Sequence, residues 1–153
     1  MAILQTVRGP VTPDQAGIVL PHEHVLVDFI GAKHTGEHRW DKDAVIAKMR
    51  PYLEEAAARG TRTFVDCSPK FLGRDPLLLR RLSEITGLHI LTNTGLYKRP
   101  YLPDYALTEP AEELAADWIR EAREGLDGTG ILPGFIKIAV NPAPLEPVQE
   151  KIV

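Results

Sequence analysis

Four short apolar runs punctuate the chain, at residues 17–24 (GIVLPHEH), 61–67 (TRTFVDC), 88–94 (LHILTNT) and 135–140 (FIKIAV). Runs that stay apolar rather than alternating are the pattern of strands covered on both faces, which is the condition of a parallel sheet. Parallel neighbours need crossover helices, and the intervening segments supply them. In residues 43–59, Val45, Met49, Leu53, Ala56 and Ala57 recur at helical spacing; Gly60 stands where a left-handed C-cap belongs, and Pro51 predicts a kink. Asp75 and Pro76 open a second helix as N-cap and first-turn proline, Leu78, Leu79, Leu82 and Ile85 form its inner face, and Gly87 closes it. A third helix is predicted from Thr108 or Glu109 to Arg123, with Leu114, Trp118, Ile119 and Ala122 on one face. Strand, helix, strand, helix, strand, helix, strand is the grammar of right-handed βαβ units.

Ahead of this alternation, residues 3–11 hold Gly9-Pro10 between short β-prone runs and read as a hairpin. Between the third strand and the third helix lies a long aromatic loop, GLYKRPYLPDYAL, in which Pro100 and Pro103 prevent helix. Residues 141–153 end in the beginning of a further helix, so the sequence stops inside a repeat. The 153 residues fall well short of the roughly 250 of a closed eight-stranded α/β barrel. The expectation is therefore an α/β fold, four parallel strands with their helices, forming the N-terminal half of a (β/α)8 TIM barrel across residues 1–153.

Charge and cysteine content narrow the function. A formal net charge of −3 excludes the basic footprint of a nucleic-acid binder. Cys67 is the single cysteine, so one chain has neither an intramolecular disulfide nor a multi-thiolate metal site. The N-terminus lacks the basic and apolar regions of a secretory signal, and no window reads as a membrane span, so a cytoplasmic location is expected.

Chemistry concentrates at the polar ends of the strands, where α/β folds assemble their sites. His22 and His24 flank Glu23, and on a strand residues i and i+2 share a face, so both imidazoles can converge on one metal ion while Glu23 points away. Lys137 stands in the middle of FIKIAV, where lysine is seldom buried. It is either an edge or snorkelling lysine, or a reactive amine: one that takes up carbon dioxide as a metal-bridging carbamate, or one that forms a Schiff base with a substrate carbonyl. Asp66 reads equally as a group orienting a ligand or as a loop-fixing carboxylate. Cys67 reads as a buried, inert thiol, His34 and His38 as solvated loop residues, and His89 as structural. Trp40, Tyr101 and Tyr105 read as packing residues.

Taken in order and spacing, PHEH, VDCSP, GRD, TGLY and GFIKIAV resemble the phosphotriesterase family of the amidohydrolase superfamily, over nearly the whole chain. The resemblance implies a (β/α)8 barrel with two divalent metal ions, commonly zinc, at the C-terminal ends of the strands. It implies that His22 and His24 ligate one metal and that Lys137, as a carboxylated lysine, bridges both. Tyr97 matches the tyrosine of the lactonase-like members, beside the substrate. The implied activity is hydrolysis of small-molecule phosphotriesters, lactones or related esters by a metal-bound hydroxide. The family draws two further histidines and an aspartate from the second half of the barrel, and the sequence ends before any of them. The alternatives are a catalytically incompetent truncated or split half-barrel, which exposed strand edges would drive to homo-oligomerise, and a Schiff-base aldolase using Lys137.

Overall fold

The structure, a computed structural model, describes residues 2–153. Strands β1 (Leu4–Thr6) and β2 (Gly9–Val11) pair antiparallel. The turn falls on Val7 and Arg8 rather than on Gly9-Pro10. The Thr6 hydroxyl accepts from the Arg8 N–H at 3.2 Å and donates to the Gly9 carbonyl at 2.7 Å, which closes the bend two residues earlier. Pro10 is tolerated because β2 is paired on one side only. Val7, at the tip, is buried and donates its N–H to the Ile90 carbonyl at 2.9 Å, docking the hairpin on the main sheet.

The main chain of elements follows as β3 (Ile18–Glu23), α1 (Lys42–Ala58), β4 (Thr61–Asp66), α2 (Pro76–Thr86), β5 (His89–Leu91), β6 (Asn93–Thr94), α3 (Tyr105–Thr108), α4 (Ala111–Glu124), β7 (Phe135–Ile136) and α5 (Pro147–Ile152). β3, β4 and β5 are parallel neighbours, and β6 pairs parallel with β7. β5 and β6 are two segments of the third predicted strand, parted at Thr92, whose carbonyl accepts from the Gly134 N–H at 2.8 Å. Four parallel runs in chain order with helices between them are the α/β arrangement of half a barrel. In register, Leu20, Phe64 and Ile90 form an apolar row across three strands. It packs against Leu53, Leu78, Leu79 and Leu82 of α1 and α2 to make the principal core. A second cluster joins Leu96, Leu102 and Ala106 to Leu114 of α4 and to Val148 and Ile152 of α5.

Several local expectations are corrected. The third helix begins at Ala111 rather than at Thr108 or Glu109, because Pro110 has no N–H to continue a ladder and holds Glu109 extended, and a separate short helix, α3, forms at the end of the stretch read as loop. On α4, Ile119 and Ala122 stay exposed. The inward stripe instead carries Leu114, Trp118 and Glu121, the last drawn in by the buried Arg74, which donates to it at 2.8 Å. The fourth run pairs over two residues only, and β3 has no fully buried residue.

Candidate functional site

Pro21 shapes the end of β3. Leu20 pairs with Phe64 and Glu23 with Asp66, so three steps along β3 match two along β4. This is a bulge, the place where a strand accepts a proline. The extra residue reverses the side-chain alternation. Leu20 packs into the helix-side core, whereas His22, two positions on, lines a cleft on the other face. His24 follows His22 into the same cleft, with ring centroids 5.4 Å apart and planes at 60°.

The supports behind the histidines come from β4 and β6. Asp66, 1% exposed, accepts the Val25 N–H at 2.7 Å and the Ser68 N–H at 3.0 Å. It therefore fixes the backbone on both sides of the cleft floor, the loop-fixing reading of the two. Burial pushes its carboxyl up to about 6, against the pull of those two N–H groups. The Ser68 hydroxyl lies 3.0 Å from His24 Nδ1 and donates to the Leu26 carbonyl at 2.7 Å. Asn93 Nδ2 donates to the carbonyls of Asp66 and Ser68 at 3.0 and 3.1 Å. His24 is held below the ordinary histidine value by partial burial, then by His22 and Lys137, with Glu23 opposing.

Lys137 reaches the site because the fourth run closes tightly on the third. Its N–H donates to the Thr94 carbonyl at 2.7 Å. Gly95, at φ +106°, passes so near the Lys137 carbonyl that any Cβ there would overlap it, so glycine is required for both conformation and space. Lys137 is part-buried, not enclosed within a strand.

The cleft has a volume of about 340 Å³ and brings together His22, His24, Lys137 and Tyr97. Tyr97 belongs to an aromatic group with Phe29 and Tyr101, whose rings lie 5.0 to 6.3 Å apart, joining the loop after β3 to the loop after β6. Cys67 also lines the cleft, with its thiol pushed up by burial. Ser68 and Phe29 are site residues that sequence reading missed. The sole signal was Ser68's place beside Asp66 and Cys67 at a strand end. His34 and His38 lie exposed in their loop. Trp40 does more than pack: its indole N–H donates to Asp75 at 3.1 Å. Among the described residues, no three His, Cys, Asp or Glu side chains cluster as a metal cage, and no helix is long and apolar enough to cross a membrane.

The profile of the phosphotriesterase family matches residues 2–153. The chain belongs to the phosphotriesterase family. Among family relatives, the aryldialkylphosphatase of Saccharolobus solfataricus is 29% identical over 146 residues, which cover 95% of this chain and 46% of that protein. The organophosphorus hydrolase from Deinococcus radiodurans superposes with a TM-score of 0.87 at 34% identity, over 98% of this chain and 47% of that one. A structure described as organophosphate hydrolysis engineered from a weak promiscuous lactonase template superposes at 0.88, again 34% identical, over 99% of this chain and 49% of that one. The chain thus spans about half the length of the family members it matches, and its four parallel runs correspond to half of their TIM barrels.

Proposed function

We propose that this chain carries the first-half ligands of a metal-dependent hydrolase acting on lactone, phosphotriester or related ester bonds. The observation that carries the reading is the convergence of His22, His24, Lys137 and Tyr97 on one cleft. The donor set fits a divalent ion. Two imidazoles stand side by side, and His24 is held below its usual value by burial, then by His22 and Lys137, which favours the neutral form that ligation needs. His22 and His24 would hold one ion. The Lys137 amine would take up carbon dioxide and release a proton, giving a carbamate with two oxygens for two ions. When bound, a pair of divalent ions, zinc being the ordinary choice, supplies activated water near neutral pH and polarises the scissile C=O or P=O bond. Tyr97, with Phe29 and Tyr101 beside it, offers an apolar wall that orients a small substrate, and its match to lactonase-like members favours the lactone.

Metal content after exhaustive dialysis tests this reading. The parent chain should retain zinc weakly, since two imidazoles leave most coordination positions to water, and His22→Ala/His24→Ala should lose it. Stoichiometric retention by the double variant would reject the ligand assignment. In a homologous family member with a complete barrel, replacing the lysine that matches Lys137 with Ala should abolish turnover, and added short carboxylates should restore part of it.

A further inference from the structure

Ser68 is 1% exposed, and its hydroxyl has a single proton to give. The Leu26 carbonyl, 2.7 Å away, is an acceptor only and takes that proton. No other donor is bonded to that carbonyl among the described residues. His24 Nδ1, 3.0 Å from the same oxygen, is then left to donate. A neutral imidazole carries one N–H, so a proton on Nδ1 leaves the lone pair on Nε2. With the proton on Nε2 instead, Ser68 would have to turn its hydroxyl to Nδ1 and leave the Leu26 carbonyl without its partner.

The arrangement is built to hold. The Ser68 N–H is taken by Asp66 Oδ1 at 3.0 Å, and the Ser68 carbonyl accepts from Asn93 at 3.1 Å. The other Asp66 oxygen takes the N–H of Val25, the residue after His24, at 2.7 Å. One buried carboxylate therefore fixes both ends of the hydrogen bond. The His22 ring has no such partner among the described residues; its neighbour is His24 itself.

We propose that Ser68 is a positioning residue that locks His24 in the Nδ1–H tautomer, reserving Nε2 as the electron-pair donor, while His22 is left unlocked. The tautomer follows from hydrogen-bond geometry alone; its consequence for metal affinity rests on the metal-site reading above. A hydrogen bond to the far nitrogen of a ligating histidine both orients the ring and raises its basicity.

Long-range proton–nitrogen NMR of the metal-free 153-residue chain at neutral pH reads the tautomers directly. His24 should give the Nδ1–H pattern, and His22 the solution mixture. In Ser68→Ala the His24 pattern should relax toward that mixture, and zinc affinity should fall by about 10- to 100-fold. Ser68→Thr, which keeps the hydroxyl, should restore both, and unchanged backbone amide shifts away from the site would establish that the variants fold alike. An Nε2–H pattern for His24 in the parent, or an Nδ1–H pattern that survives Ser68→Ala, would overturn the lock. A lost lock with unchanged zinc affinity would overturn the positioning role. Failure of the metal-site reading has a separate signature, zinc retention by His22→Ala/His24→Ala.

Discussion

Strands β3 and β4 are parallel neighbours of six residues each, yet four residues of β4 are buried and none of β3 is. β4 lies between two strands and under two helices, whereas β3 has a strand on one side only. The two divide the labour of the site. β4 and the residues after it provide the scaffold: Asp66 and Ser68 tie loops together with bonds that water does not reach. β3 and the residue after it provide accessible side chains, His22 and His24, aimed by a bulge. A side chain that must meet a ligand cannot be enclosed, so rigidity has to come from the strand behind it.

That contrast can be broken from the buried side first. Phe64→Ala removes a ring from the centre of the β3–β4–β5 apolar row and should cost about 4 kcal/mol in urea unfolding. A loss below about 1 kcal/mol would mean that β4 is not the scaffold. Next comes Arg74, whose buried guanidinium donates to the Asn93 carbonyl at 2.9 Å, to Glu121 at 2.8 Å and to Asp127 at 2.9 Å. Arg74→Met leaves Glu121 without its cation and Asp127 with Lys70 alone, and should cost about 3 kcal/mol.

A smaller effect is read through pH. Burial pushes the Asp127 carboxyl up, but Arg74 and Lys70 outweigh it and hold it below its ordinary 3.8. A lowered native value stabilises the fold above the unfolded value and is lost as pH falls through the native one. Asp127→Asn keeps the shape and tolerates the residue's φ of +50°. The parent's advantage over it should be full above about pH 5 and vanish in strong acid; an advantage that persists in acid would assign the effect to packing. The smallest change belongs to β3: Val19→Ala, at a position 40% exposed, should alter stability by about 0.5 kcal/mol.

Much of this was legible in residue order. The second helix is the clearest case, since Asp75 caps it by accepting the Leu78 N–H at 3.0 Å and Gly87 closes it at φ +74°. Caps, glycines and apolar periodicity act within one turn of the chain, so they are written locally. The hairpin turn and the start of α4 differ from expectation because each hangs on one competing local bond or one missing N–H, at Thr6 and at Pro110.

Residue order by itself determined that the chain alternates strands with helices, that His22 and His24 share a side, and that Lys137 falls in the fourth run. Tertiary structure decided which side that is. Strict alternation would have put His22 in the core with Leu20, and only the register against β4 reveals the extra residue at Pro21. It also decided that Ser68 meets His24, 44 positions away, and that Glu121 turns inward to Arg74. A register and a long-range hydrogen bond depend on two segments at once, and neither segment alone contains them.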